Sequence, residues 1–296
     1  MKYSLIILSS IMILLSSCDY EKTVDIGDVS ITPHMVINGL IYANSDTSYL
    51  QITESSPIYN NTFESGFNII ENANVDFYLN NTLHPIQYNK ADSAYVLVEK
   101  IKSRDRINIT SNYSGKKISS IVEVPDAPEI ISVDTTHIKK IEDHVSGISN
   151  FILFNIKIKD KSNNKDYYHL LVQNKFIEVN TIYSYPYDGT CYSDDPLLSG
   201  AYKVFRDVSF DGKEYNLKFY VKDYAQFFEG ESDTKYLWQL SVKLQKINED
   251  LYKYYSSLQS SYENGESKLV YSNIEGGLGI LGTCNEINIF ENNIFN

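Results

Sequence analysis

The sequence predicts a mostly β protein, with two β-sandwich domains and one short C-terminal helix. Between residues 34 and 124, short segments alternate apolar and polar residues, and turn-forming Asn, Ser and Gly separate them. The chain also contains 25 tyrosines, which suit half-exposed sheet positions because the ring is apolar and the hydroxyl is polar. Short strands separated by turns about every ten residues are typical of a β-sandwich.

The first predicted domain spans residues 34–124. In the segment 74–79, Val75, Phe77 and Leu79 lie on one face of a strand with period two. The predicted strands are 34–42, 48–53, 74–79, 94–98, 106–110 and 117–124. The stretch 72–98 resembles the carboxypeptidase-regulatory and transthyretin-like sandwiches of surface proteins, which implies an immunoglobulin/transthyretin-like arrangement.

The second predicted domain spans residues 125–296. Pro125 and Pro128 stiffen the boundary, because proline fixes its own backbone and biases the preceding residue towards an extended one. The Asp211-Gly212 pair predicts a hairpin between strands at 204–210 and 214–221. The other predicted strands are 130–133, 150–159, 167–173 paired with 176–183, and a terminal strand near 285–290.

Residues 235–262 fit two patterns. Leucines and other apolar residues recur at spacings of three and four, which indicates one long helix, yet residues 236–244 also alternate strictly. The sequence favours a strand at 235–246 followed by a helix near 249–262, because Asn248 suits an N-cap and Glu249 and Asp250 suit a first turn. One long helix stays open as the alternative.

The N-terminus predicts a lipoprotein signal at residues 1–17. Its apolar run is too short to span a bilayer but has the length of a signal-peptide core. Residues 15–18 (LSSC) resemble the bacterial lipobox, which implies that Cys18 carries a diacylglycerol and begins the mature chain. Residues 18–33 then form a tether. The alternative is a soluble secreted protein in which Cys18 is accidental.

Charge and motifs exclude several classes of function. A net charge of −12 argues against nucleic-acid binding and against surface attraction to anionic lipid. The chain contains no HExxH, GxSxG or phosphate-loop motif, so we expect a non-enzyme without a cofactor. Catalysis by carboxylates stays open, because acids are plentiful and their geometry is unknown.

Cysteines and acids give two predictions about sites. Cys191 and Cys284 form an even pair in an exported chain, which predicts a disulfide, with two free buried thiols as the alternative. Asp188, Asp194 and Asp195 form a weak Ca²⁺ candidate, and a solvated acidic loop is the alternative. We expect no other metal site.

A tyrosine-rich loop is the predicted interaction site. Tyr183, Tyr185, Tyr187 and Tyr192 lie within ten residues, next to Cys191. Rigid aromatic surface on a constrained loop loses little entropy on binding, so it suits a partner protein, a peptide or a glycan. The alternative is a loop that packs on its own sandwich.

Several segments carry a family resemblance. They are 36–40 (VINGL), 193–196 (SDDP), 205–213 (FRDVSFDGK), 252–255 (YKYY) and 271–281 (YSNIEGGLGIL). Together with the lipobox they resemble a Bacteroidota outer-membrane lipoprotein family of unknown function, domain of unknown function 4249, which is found beside TonB-dependent receptors. Leu281 departs from the family pattern, where an aromatic residue is expected. The acids Asp19 and Glu21 loosely resemble a surface-export signal, and a solvated tether explains them equally well.

The family resemblance implies a cellular location and a role for the protein. It implies no catalytic residue. It implies an outer-membrane lipoprotein with an accessory role in nutrient uptake beside a TonB-dependent β-barrel receptor. We expect this lipoprotein to be non-enzymatic, to face the exterior and to help capture or gate a ligand. A peptide or a glycan stays a candidate ligand because of the tyrosine-rich loop, not because of the resemblance. A surface adhesin or structural lipoprotein that binds host or matrix ligands is the alternative.

Overall fold

The computed structural model describes residues 32–55, 68–143, 147–178, 184–188, 191–224, 236–264 and 269–292. The predicted signal at 1–17, the lipidation site Cys18 and most of the tether at 18–33 lie outside these residues. Among the described residues, no helix combines the length and apolar character that crossing a membrane requires.

Within the described residues, the structure is mostly β with one helix, as predicted. The strands are β1 (Met35–Tyr42), β2 (Ser48–Glu54), β3 (Asn68–Ile69), β4 (Asn74–Leu79), β5 (Thr82–His84), β6 (Ile86–Asn89), β7 (Ala94–Leu97), β8 (Arg106–Tyr113), β9 (Lys116–Glu123), β10 (Glu129–Asp143), β11 (Gly147–Lys159), β12 (Tyr167–Glu178), β13 (Ser184–Asp188), β14 (Cys191–Tyr192), β15 (Val204–Arg206), β16 (Glu214–Lys222), β17 (Tyr236–Ile247) and β18 (Leu278–Glu291). The helix is α1 (Glu249–Asn264), and short 3₁₀ turns occupy Pro196–Leu198 and Asp207–Ser209.

The strands form three sheets. The long sheet has the order β13-β12-β17-β18-β1-β2-β7-β6, with β15 added on β12 and β3 on β2. The N-sheet has the order β5-β4-β8-β9, and the C-sheet has the order β10-β11-β16-β14. Strands β1 and β18 run parallel, and every other described pair is antiparallel.

Two hydrophobic cores lie on one face of the long sheet. The first joins β1, β2 and β7 to the N-sheet, with Ile37 and Leu50 packed near Phe77 and Ile109. The second joins β12 and β17 to the C-sheet through residues such as Trp238. The arrangement is therefore sandwich-like, with two smaller sheets packed on one face of a longer one. We call the opposite face of the long sheet its outer face.

The predicted boundary at 124/125 lies between β9 and β10. The long sheet takes strands from both sides of that boundary, because β1 pairs with β18. The described residues from Pro33 onwards belong to one compact unit. The division into domains 34–124 and 125–296 stays a prediction.

The region 235–262 is a strand followed by a helix, which excludes one long helix. Strand β17 buries Trp238, Leu240, Val242 and Leu244, which lie two residues apart and enter the second core. Strand β17 ends at Ile247, and α1 begins at Glu249, directly after Asn248.

Two predictions about the second half were wrong. Segments 167–173 and 176–183 were predicted as two strands, but β12 continues through Asn174, which is buried and accepts a 2.9 Å hydrogen bond from the Trp238 indole. The turn at Gly212 exists, with φ of +67°, but it does not close a hairpin. Strand β15 pairs with β12 in the long sheet and β16 pairs with β11 in the C-sheet, so this turn carries the chain between sheets.

Candidate functional site

Helix α1 lies on the outer face of the long sheet. Its Leu251 packs with Ile247 of β17 and with Ile280 and Cys284 of β18 in a third, smaller apolar cluster. These sheet residues point away from the two sandwich cores, because side chains alternate between the faces of a strand. The helix therefore covers the centre of the outer face.

Asn248 fixes the start of α1 on the sheet. Its side-chain oxygen accepts hydrogen bonds from the backbone N–H of Leu251 at 3.3 Å and of Thr283 at 3.1 Å. Its own N–H donates to the Thr283 carbonyl at 3.1 Å. The predicted N-cap is confirmed, and it also joins the helix to β18. Glu249 and Asp250 occupy the first turn, where negative charge is favoured by the helix dipole.

An aromatic layer packs against the first two turns of the helix. The Tyr255 ring lies 5.5 Å from the Tyr202 ring and 5.1 Å from the His169 ring. Tyr252 packs against Tyr167 with ring centroids 5.0 Å apart. Aromatic pairs at these distances add to the stability that burial alone gives. Aromatic packing thus attaches the first half of the helix to its neighbours.

The segment 271–281 supports the other side of α1. The Tyr271 hydroxyl donates to Asp250 at 2.5 Å, and burial together with Asp250 raises the pKa of Tyr271 to about 12. The Asn273 side chain makes two 2.9 Å hydrogen bonds to the backbone of Leu281. Gly279 has φ of +104°, and a Cβ there would lie 2.1 Å from the Ile37 carbonyl oxygen. Glycine at position 279 therefore allows β18 to pack closely against β1.

The segment also joins two sheets. Glu275 and Ser119 of β9 exchange backbone hydrogen bonds of 3.1 and 2.8 Å. A Cβ at Gly276 would lie 2.6 Å from the Lys117 carbonyl oxygen, so only glycine permits this approach of the chain to the N-sheet. The motif 271–281 therefore positions β18, and through β18 the helix.

A cleft of about 530 Å³ opens on the outer face beside α1. Its floor is β1 and β2, one wall is α1, and the other wall is the turn between β6 and β7. The lining residues are Asn38, Gly39, Leu40, Tyr49, Gln51, Asp92, Ala94, Leu251, Tyr254, Tyr255 and Ile280. Among the described residues of this lining, Asp92 is the one that carries a charge.

The floor of the cleft carries two amide side chains that have no hydrogen-bond partner among the described residues. Asn38 on β1 lies directly opposite Gln51 on β2. Neither side chain hydrogen-bonds to any residue that the structure describes, although Asn38 is half-buried. Beside them, Tyr49 is 49% exposed. The cleft thus presents free amide groups next to an accessible aromatic ring.

The predicted tyrosine loop is divided between two sheets. Tyr183 lies outside the described residues. Tyr185 and Tyr187 lie on β13, at the edge of the long sheet, at register positions opposite Phe176 and Asn174. Tyr192 lies on β14 in the C-sheet instead.

Tyr192 packs within an aromatic group on the C-sheet. Its ring stacks on Tyr220 with centroids 5.4 Å apart, and it makes a T-shaped contact with buried Phe151 with centroids 5.8 Å apart. The structure therefore separates Tyr192 from Tyr185 and Tyr187, and whether any of these residues binds a partner stays a prediction.

The acids of the weak Ca²⁺ candidate have separate surroundings. Asp188 ends β13 in the long sheet, whereas Asp194 and Asp195 follow β14 of the C-sheet. Asp195 caps the 3₁₀ turn by accepting from the Leu197 N–H at 3.0 Å, and it accepts from the Tyr215 hydroxyl at 3.0 Å. Asp194 is exposed.

Another group of carboxylates is closer together. Asp160, Asp207 and Asp211 place ligand atoms within 4.8 Å of one another, a spacing at which carboxylates can hold a metal ion. Asp160 accepts from the Tyr168 hydroxyl at 2.7 Å and from the Gly212 N–H at 3.0 Å. Asp207 accepts from the Asp166 N–H at 2.9 Å. These bonds join two turns, so the fold itself accounts for the cluster.

The predicted disulfide is not present in the structure. Cys191 and Cys284 are both free and buried. Cys191 faces the second sandwich core, whereas Cys284 packs under α1 in the third cluster, on the outer face of the long sheet. The two thiols thus belong to different packed layers. Burial raises the pKa of the Cys191 thiol to about 12 and also raises that of Cys284.

The sequence did not single out Asn38, Tyr49 and Gln51 as site residues. The segments that carry the family resemblance could have pointed to these residues, because three of those segments line the cleft. Segment 36–40 supplies the floor, 252–255 supplies the helix wall, and 271–281 supplies Ile280. Segments far apart in the sequence thus line one cleft, which only the pairing of β1 with β18 and β2 reveals.

Comparisons with known proteins give one result. The family model described as "Domain of unknown function (DUF4249)" matches residues 21–288, which is most of the chain. Searches of the curated proteins and of the solved structures found no match.

Proposed function

We propose that the chain, which belongs to the DUF4249 family, is a lipid-anchored outer-membrane protein on the cell surface that captures or gates a ligand for a TonB-dependent transporter. The observation that carries the proposal is the cleft beside α1, where three segments of the family resemblance meet. Their cleft holds an exposed tyrosine and two amides that have no hydrogen-bond partner among the described residues. Capture without chemical conversion is the proposed role.

The proposed mechanism is tethering. Acyl chains on Cys18 would confine the protein to the membrane, since each buried CH₂ contributes about 0.8 kcal/mol. The tether from residue 18 to residue 33 would let the β domain reach a neighbouring receptor. Confinement raises the effective concentration of the cleft at the receptor, which increases ligand delivery without any new contact.

Two measurements on cells test the proposal. Intact-mass analysis of the mature protein is expected to show a chain that begins at Cys18 and carries acyl groups. A Cys18→Ala variant is expected to leave the membrane fraction, whereas Ser16→Ala, which keeps the thiol, is expected to stay there. An unmodified thiol on Cys18 would contradict the proposed lipid anchor.

Extraction with mild detergent tests the partner. We expect the protein to co-purify with a β-barrel receptor, and deletion of the gene to reduce uptake of that receptor's cargo. Unchanged uptake together with lost adhesion of the deletion strain would instead support a surface adhesin.

A further inference from the structure

We infer that the cleft beside α1 binds an uncharged oligosaccharide. The inference rests on the proposed function, in which this cleft captures a ligand, and adds the chemical class of that ligand. Charge, backbone pairing and side-chain chemistry support it independently.

The charge of the cleft disfavours anionic ligands. Among the described residues, no lysine or arginine lines it, and its one charged residue is Asp92. The whole chain carries a net charge of −12, so the surrounding field also repels anions. Phosphates, sulfates and uronic acids would therefore lose hydration in the cleft without gaining an opposite charge.

The backbone of the floor disfavours an extended peptide. Peptides that bind sheets in extended form use the unpaired N–H and C=O groups of an edge strand. Here β1 is paired with β18 on one side and β2 on the other, and β2 is paired with β1 and β7. The floor thus offers side chains rather than a free strand edge.

The side chains of the cleft match the two surfaces of a sugar ring. Asn38 and Gln51 each donate and accept hydrogen bonds, as neighbouring sugar hydroxyls do. Tyr49, exposed by 49%, and Tyr254 of α1 present aromatic rings to the C–H face of a pyranose. The volume of about 530 Å³ lies in the range of small-ligand sites, so the cleft takes a short stretch of a chain.

The test measures binding by the purified full-length protein. Calorimetry uses maltohexaose, cellohexaose, mannohexaose and xylohexaose, in an amine-oxide detergent because maltoside detergents themselves carry glucose units. Hexagalacturonate and an Ala-Asn hexapeptide serve as the acidic and peptide comparators. We expect at least one neutral hexasaccharide to bind, and both comparators to bind at least about tenfold more weakly, which corresponds to about 1.4 kcal/mol.

Variants locate the site. Tyr49→Ala and the double change Asn38→Ala with Gln51→Ala are expected to weaken binding about tenfold or more, because they remove an aromatic face or two hydrogen-bonding amides. Tyr78→Ala on β4 and Asn216→Ala on β16 make matched changes on the other two sheets and are expected to stay within about twofold. Far-UV circular dichroism confirms that each variant is folded.

Three outcomes would overturn the inference: no binding of any neutral hexasaccharide, equal or tighter binding of a comparator, or unchanged affinity in the cleft variants. The proposed function would survive each of them if the protein still co-purified with a receptor and supported uptake. Conversely, saccharide binding without a receptor or uptake phenotype would keep the inference and overturn the transporter role.

Discussion

The Tyr271 hydroxyl donates a 2.5 Å hydrogen bond to Asp250 and thereby ties the glycine-rich segment before β18 to the first turn of α1. Because α1 forms one wall of the cleft, this bond supports the site without lining it. The contribution of this hydrogen bond to the free energy of unfolding depends on whether the Tyr271 phenol is protonated. It can therefore be measured as a function of pH.

Tyr271→Phe is expected to lower stability in a pH-dependent way. Removing the hydroxyl costs about 1–2 kcal/mol near neutral pH, because the Asp250 carboxylate loses a donor. The pKa of Tyr271 is raised to about 12 in the folded state, against about 10 in the unfolded chain. As pH rises above about 10, the unfolded state therefore loses its proton first, and the contribution of Tyr271 to stability falls.

Urea unfolding from neutral pH to about pH 11 measures this difference between Tyr271→Phe and the unmodified chain. The difference in unfolding free energy is expected to narrow above about pH 10. Tyr78→Phe is the control, since the Tyr78 hydroxyl makes no hydrogen bond to the described part of the chain. A difference that stays constant with pH would contradict the role of the phenol proton.

Asn248→Ala is expected to be strongly destabilising. Loss of a helix N-cap costs about 1 kcal/mol, and leaving the Thr283 N–H without its acceptor adds about 1–3 kcal/mol. Urea unfolding followed by circular dichroism measures the sum. Asn248→Asp keeps an acceptor oxygen and is expected to lose less than about 1 kcal/mol. Equal losses in the two variants would show that this oxygen is unimportant.

The elements that the sequence predicted correctly have strong local signals. Strand β17 buries every second residue from Trp238 to Leu244, and Asn248 with two acids behind it marks the start of α1. The alternation of apolar and polar residues and the N-cap are patterns of a few consecutive residues. They can therefore be recognised in the sequence without knowledge of the fold.

Pairing between distant strands could not be predicted in the same way. Alternation shows which face of β1 is apolar, but it does not show that β18 lies parallel beside it. The wrong prediction of a hairpin at Gly212 has the same cause. The turn exists, but the strands before and after it pair in different sheets. The cleft depends on such pairing, because Asn38 and Gln51 become neighbours only when β1 meets β2.

Thiol chemistry tests the correction to the predicted disulfide. In the native protein, Cys191 and Cys284 are expected to react slowly with Ellman's reagent, because both are buried and burial raises the pKa of each thiol. In guanidinium chloride without reductant, both are expected to titrate as free thiols. Reductant is expected to leave the melting temperature unchanged. Thiols that appear only after reduction would restore the disulfide.

Two glycine variants distinguish the cost of an unfavourable backbone conformation from the cost of a steric clash. Gly115, in the β8–β9 turn, has φ of +77°, and no atom lies within 4 Å of the place that a Cβ would occupy. Gly115→Ala is therefore expected to cost about 1–2 kcal/mol from backbone conformation alone. Gly279 has φ of +104°, and its Cβ would lie 2.1 Å from the Ile37 carbonyl oxygen on the paired strand β1. Gly279→Ala therefore forces β1 and β18 apart.

The expected loss for Gly279→Ala is about 4 kcal/mol or more, which is typical of severe core disruption. Urea unfolding compares the two variants, and the soluble fraction after expression provides a second readout if Gly279→Ala does not fold. The saccharide affinity of Gly115→Ala is expected to be unchanged, because its turn lies in the N-sheet, away from the cleft lining. Equal stability of the two variants would show that β1 and β18 tolerate a side chain between them, and the close parallel pairing that positions the floor of the cleft would have to be reconsidered.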